Sequence, residues 1–315
     1  MNRNQIIKGP AVIIRGDHTY FFREDITLNV SLEAYDVNAS HVGVAGRHST
    51  SKRITISGTP SGMLTNAPAY FPWDVKDVGS EIFGATDTPL TIHTLAGTKL
   101  TFPCSANQGV GSLHLGTDAT ALGPVTFVCI GAMDSVDTDP ASRYTVEQAA
   151  MDASGYDFSK VRTPGYRATF TPPDNGTPVV IEGLQGFDVN IEPSWEDNTV
   201  NAYGLLGITL TGVRAYATFQ PANLNEAQIM ALLRMQGPGA VLPGGDIAVS
   251  GAALTIAPIS DAKGITAVLK NPGFSGAAMS FGFNAKRGGQ LRADASLSWE
   301  QGNLTSLYSI AFPAW

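Results

Sequence analysis

The stretch DITLNVSLEAYDVNASHVGVAGRHSTSKRITISGTP, Asp25 to Pro60, decides how the fold is read. Its first arm alternates, with Ile26, Leu28, Val30 and Leu32 on one face and Thr27, Asn29, Ser31 and Glu33 on the other. That is the pattern of a half-buried β-strand. Arg53 to Ser57 resumes the alternation through Ile54 and Ile56. A tight hairpin needs only about two to five linking residues. The cationic stretch His41 to Lys52 between the arms therefore reads as a long loop with a task of its own.

The rest of the chain fits a β-rich protein. Of 315 residues 34 are glycine and 15% are charged, while 43% are hydrophobic; an average chain has about 7% glycine and about a quarter charged residues. Glycine together with β-branched and aromatic alternation predicts short strands and many turns. So little charge predicts that apolar surface is covered at subunit interfaces. The net charge of −7 leaves no basic footprint for gripping nucleic acid. The same sign suits a channel through which nucleic acid slides without adhering. Cys104 and Cys129 are too few for a secreted disulfide scaffold, and Cys129, inside VTFVCIG, reads as a small core residue. MNRNQIIKGP does not read as a signal peptide, and no apolar stretch is long enough to cross a bilayer. The expectation is folding in a reducing cytoplasm.

Sliding the chain on itself exposes an internal repeat. DITLNVSLEAYDVNA, from Asp25, aligns without a gap with DVNIEPSWEDNTVNA, from Asp188, and six of the fifteen pairs are identical. Composition alone would give roughly one. AVIIRG at 11–16 resembles PVVIEG at 178–183, the Ile54/Ile56 strand has a counterpart in RAYATFQP at 214–221, and GPVTFVCIG is matched to AAMSFGFN, with Met279, Phe281 and Phe283 in the places of Val125, Phe127 and Cys129. This reads as a tandem duplication, with a first domain over 1–140, a linker over 141–165 and a second domain over 166–315. In the linker, Thr145 with Gln148 predicts a capping box opening a short helix through Met151. In the second half NLNEAQIMALLRMQG predicts a helix capped by Asn225, with Ile229, Leu232 and Leu233 on its apolar face. The corresponding stretch of the first half, Met63 to Ile82, is interrupted by Pro68 and Pro72. The predicted fold is mainly β: two tandem β-sandwich or open-barrel domains, each with a packed helix.

No enzyme signature emerges, and no cofactor or metal is expected. Asp134, Asp137 and Asp139 lack the glycine and terminal glutamate of a calcium loop. The histidines, His18, His41, His48, His93 and His114, never fall at a paired ligand spacing on one helix. GPGAVLPGG has no lysine and follows a helix instead of opening one, unlike a phosphate cradle. What remains is the polar strand face: Thr27, Asn29, Ser31 and Glu33, with Asn190, Glu192, Ser194 and Glu196 in the repeat. It reads either as the solvated side of an antiparallel sheet or as the wall of a wet channel shared by many subunits. Glutamate without lysine or arginine in the matched window favours the channel.

On KGPAVIIRG, DITLNVSLEAYDV, the long connection before KRITISGTP, YFPWDV and GPVTFVCIGAMD, the chain resembles the major tail tube protein of long-tailed bacteriophages. The resemblance implies a structural virion protein without catalysis, whose amphipathic strands form an inner β-barrel that conducts DNA. Thr27, Asn29, Ser31, Glu33, Asn190, Glu192, Ser194 and Glu196 would line the lumen. The loop carrying His41, Arg47, His48, Lys52 and Arg53 would stack rings, becoming ordered only when the next ring arrives. Most such proteins have one tube domain and assemble six to a ring; a duplicated chain implies a homotrimeric ring with pseudo-sixfold symmetry. The implied partners are other copies of the chain, the tape measure, and the terminator and distal-tail proteins, with assembly in the host cytoplasm and residence in the virion tail. A distal-tail or baseplate ring protein and a cell-surface β-sandwich binding module are the alternatives.

Overall fold

The computed structural model of the chain describes residues 11–23, 25–61, 78–83, 87–116, 120–130, 144–151, 155–157, 159, 164–173, 176–200, 204–235, 240–259, 264–276, 290–296 and 307–313. In chain order the strands are β1 Ala11–Arg15, β2 His18–Phe21, β3 Thr27–Ala39, β4 Gly43–Gly58, β5 Leu90–Thr94, β6 Thr98–Phe102, β7 Cys104–Val110, β8 Ser112–Leu115, β9 Thr120–Leu122, β10 Val125–Ile130 and β11 Thr145–Gln148. They continue as β12 Tyr166–Thr171, β13 Val179–Ile181, β14 Gly183–Val200 and β15 Gly204–Pro221, then helix α1 Glu226–Leu232. The last strands are β16 Ala253–Pro258, β17 Thr266–Lys270, β18 Gly273–Ser275, β19 Leu291–Asp294 and β20 Tyr308–Ala311. The protein is mainly β, as its composition predicts.

The chain folds into two compact units that are not consecutive in sequence. The first comprises Met1–Val110, Pro124–Phe158 and Ser194–Thr211, and the second Gly111–Gly123, Ser159–Pro193 and Gly212–Trp315. The first unit holds a five-stranded sheet in the order β11-β6-β5-β1-β2 and a four-stranded sheet, β3-β4-β10-β7. Tyr20 of β2 meets Phe127 of β10 edge-on at 5.0 Å, joining the two sheets across a buried layer. Such an edge-to-face pair matches the quadrupoles of the two rings. In the second unit the sheets run β13-β12-β16-β17-β20 and β18-β19-β15-β14-β8-β9. There Phe170 of β12 and Phe274 of β18 make a cross-sheet contact at 5.2 Å.

Written in parallel, the strand orders superimpose. β12, β13, β16, β17 and β20 take the places of β1, β2, β5, β6 and β11, and β14, β15, β19 and β18 those of β3, β4, β10 and β7. Register carries the match to single residues. Phe127 pairs with Ile56 and Cys129 with Ile54, as Leu291 pairs with Phe219 and Ala293 with Ala217. Two of the sequence matches are corrected by this. AVIIRG takes the place of Tyr166–Thr171, not of the edge strand β13. β19, Leu291–Asp294, holds the place of β10, whereas AAMSFGFN lies outside the described residues. Alternation alone cannot distinguish two apolar strands of one sheet; cross-strand pairing does.

Two further expectations change. Thr145–Gln148 is not a helix: it is β11, pairing antiparallel with β6 through Val146 and Leu100. The unpaired side of β6 offers a ladder of hydrogen bonds that outweighs one capping box. The stretch His41 to Lys52 is not a long loop either. Only Ser40, His41 and Val42 turn, and from Gly43 onward the chain is β4, paired with β3 from Ala39↔Gly43 to Thr27↔Ser57. Two register shifts, after Glu33 and after Val37, accommodate the extra residues as bulges. The helix of the second half forms over Glu226–Leu232, with a complete Asn225/Gln228 capping box and Ile229 and Leu232 buried. The stretch read as its counterpart, Met63 to Ile82, lies mostly outside the described residues, as does the acidic cluster at 134–139.

Candidate assembly surface

The two long hairpins, β3 with β4 and β14 with β15, hold every residue expected to line a channel or to stack. Residues paired across antiparallel strands project to the same face. Thr27, Asn29 and Ser31 therefore share a face with Ser57, Thr55 and Arg53, and all three are exposed. The backbone of Glu33 pairs with Ser51 and that of Lys52 with Leu32. Arg53, expected in the stacking loop, instead sits within the paired arms: its guanidinium reaches the Asp197 carboxylate at 2.6 Å, and its carbonyl accepts from the Ser31 hydroxyl at 3.4 Å.

Toward the tip, Arg47 and His48 have partners on the hairpin itself. Arg47 pairs with Asp36 at 2.6 Å, and His48 stacks on Tyr35 with ring centroids 5.7 Å apart. His41 lies exposed in the turn. The arm is thus built within the single chain, contrary to a loop that orders only on stacking.

The other face of β3 departs from its pattern. Leu28 and Val30 are 39% and 49% exposed, although their cross-strand partners Ile56 and Ile54 are buried. Tyr35, Val37, Val42 and Val44 of the same hairpin are exposed as well. The outer strand of this hairpin thus leaves apolar side chains uncovered, where a half-buried strand would cover them.

In the second hairpin Val189 and Ile191 are buried, while Glu192, Ser194 and Glu196 are exposed and Asn190 is half-buried. Ser194 and Glu196 belong to the first compact unit, Asn190 and Glu192 to the second. The Glu192 carboxylate accepts the Tyr216 hydroxyl at 2.6 Å, which, with partial burial, raises that phenol above its ordinary value. Arg292 lies over the Tyr216 ring, 3.5 Å from its centroid, and Arg214 stands 5.6 Å away. Both arginines donate to Asp294, at 2.9 and 3.0 Å. The face that sequence reading took as polar, with glutamate and no lysine or arginine, is therefore a mixed-charge mosaic around Glu192. Sequence reading missed Arg214, Tyr216, Arg292 and Asp294 because they lie on neighbouring strands, outside the matched window.

Glu81 fastens the far end of this hairpin within the first unit. Its carboxylate accepts the backbone N–H of Ile208 at 2.5 Å and of Ile82 at 3.1 Å, and the Asn198 amide at 3.0 Å. Cys104 and Cys129 are free and buried in the β7/β10 sheet. Burial pushes the Cys104 thiol up to about 12 and Cys129 higher still, so neither is a nucleophile near neutral pH. Among the described residues no helix is long and apolar enough to cross a membrane. No protein-family model and no curated protein matches the chain.

Proposed function

We propose that this chain is a structural subunit of a tail tube of the long-tailed bacteriophage kind, assembling into rings that stack into a DNA-conducting tube and performing no catalysis. One observation carries the reading: the strand orders of the two halves repeat apart from β8 and β9, and each half contributes a long hairpin with exposed polar residues. Three copies supply six such units, enough for a pseudo-sixfold ring from a threefold assembly. Thr27, Asn29, Ser31, Glu33, Asn190, Glu192, Ser194 and Glu196 are the proposed lumen residues. The wall works by low adhesion: polar groups and charges of both signs, internally paired as around Asp294, offer DNA phosphate no free cationic track.

The tip of the β3/β4 hairpin, with His41, Arg47 and His48, is the proposed stacking element, with Lys52 and Arg53 at its base. Because the arm is already paired, stacking costs little backbone ordering, and its timing rests on many tips engaging together. Negative-stain microscopy of the purified protein tests the reading. Long tubes of regular ring spacing are expected; single rings would indicate a distal-tail or baseplate role, and monomers at every concentration would refute assembly. Deleting Val44 to Ser51 should abolish stacking, and long tubes from that variant would remove the hairpin tip from the stacking contact.

A further inference from the structure

The two units match strand for strand except at one place. In the second unit β14 is not an edge: β8 pairs along it through Phe187↔Leu115, Asp188↔His114, Val189↔Leu113 and Asn190↔Ser112, and β9 follows β8. The Ile191 N–H donates to the Gly111 carbonyl at 2.9 Å, and His114 Nδ1 lies 2.5 Å from Asp188 Oδ1. The counterpart of β14 is β3, which ends its sheet with no strand beyond it among the described residues. The consequence is visible side chain by side chain. Ile191 is 3% exposed, whereas Leu28, its equivalent in the aligned repeat, is 39% exposed. What differs is β8 and β9, whose Leu113, Leu115 and Leu122 are buried.

β8 and β9 are the connection between β7 and β10. The equivalent connection of the second half joins β18 to β19, residues 276–290, most of which lie outside the described residues. Its sequence, GAAMSFGFNAKRGGQ, alternates Met279, Phe281 and Phe283 in the manner of a half-buried strand. It carries Lys286 and Arg287 and no acid, while β3 carries Glu33 and Asp36 and no lysine or arginine.

We infer that residues 276–290 of a second copy of this chain add to the open edge of β3, as β8 and β9 add to β14 within one chain. The occupant covers Leu28 and Val30, satisfies the outer N–H and C=O groups of β3, and brings its basic residues to a strand that has no lysine or arginine of its own. Because the two partners in the contact are different surfaces, association runs head to tail and closes into a ring when the rotation permits. This names the ring contact of the tail-tube reading and shares its premise that copies associate, but it does not require stacking.

Mixed single-cysteine variants of the full-length protein test it. Asn29→Cys or Ser31→Cys is combined with Ala278→Cys, Ser280→Cys or Gly282→Cys on a second chain and oxidised mildly, with each variant alone and Leu242→Cys as controls. At least one mixture should give a two-chain disulfide species several-fold above every control. Leu28→Glu with Val30→Glu should abolish association while leaving the far-ultraviolet circular dichroism of the wild type. Tubes or rings that form with no mixture above the controls overturn this inference and leave the tube reading standing. Cross-linked rings that never stack support the inference and refute the tube. A protein monomeric at all concentrations overturns both.

Discussion

Replacing Gly186 by alanine probes the strand pairing that distinguishes the two units. Gly186 has φ +90°, and a Cβ there would lie 2.5 Å from the Leu115 carbonyl oxygen and 2.7 Å from the Gly116 Cα. Both obstacles are backbone, so no rotamer change relieves them, and β8 must move away from β14. Gly43 is the control: its φ is +73°, yet nothing lies within 4 Å of its added Cβ. Gly43→Ala should cost only the left-handed backbone penalty, about 1 kcal/mol. Gly186→Ala adds the loss of one or two ladder hydrogen bonds and of the His114–Asp188 contact, for a total of about 3–4 kcal/mol. With a urea slope of about 2–3 kcal/mol/M, the midpoint should fall by more than about 1 M for Gly186→Ala and by about 0.4 M for Gly43→Ala. Amide hydrogen exchange should quicken in 112–115 and 187–190 for the first variant only. Equal midpoints for the two variants, or unchanged exchange in β8 with Gly186→Ala, would refute the argument that backbone proximity makes glycine necessary there.

Glu81→Ala leaves the Ile208 N–H without its acceptor and should cost about 2 kcal/mol, with Glu81→Gln losing about half of that; urea unfolding of the pair checks it, and equal losses would show that the carboxylate charge, not the acceptor, matters. Asn225→Ala removes the capping box of α1 and should lower stability by about 1 kcal/mol, read as faster exchange of the Gln228 amide. The Cys104 thiol is raised from 9.0 to about 12 in the folded chain, so the neutral form is favoured by folding. Its stabilising contribution is therefore complete below pH about 9 and is lost as pH rises toward about 12; the urea midpoint should drop across that window, and Cys104→Ser should flatten the drop. In assembled particles, Glu33→Lys with Glu196→Lys should leave tubes intact but slow DNA ejection; ejection at the wild-type rate would remove these positions from the lumen.

The sequence by itself determined the β-rich class and the places of the amphipathic strands β3 and β14, because these rest on local alternation and on self-similarity. Six identities in fifteen residues around Asp25 and Asp188 locate equivalent strands without any coordinates. The α1 cap was equally legible, since Asn225 and Gln228 need only each other's backbone. Tertiary structure decided what depends on a partner distant in sequence. Thr145–Gln148 became a strand because β6 lay open beside it. Glu192 acquired Tyr216 as a hydrogen-bond partner, with Arg214 and Arg292 beside the ring, because register sets who shares a face. Above all, Leu28 and Ile191 carry the same sequence signal, yet only Ile191 is buried. A strand's alternation states which side seeks cover; whether cover arrives depends on which segment pairs along its edge, and among the described residues the chain supplies that segment to β14 but not to β3.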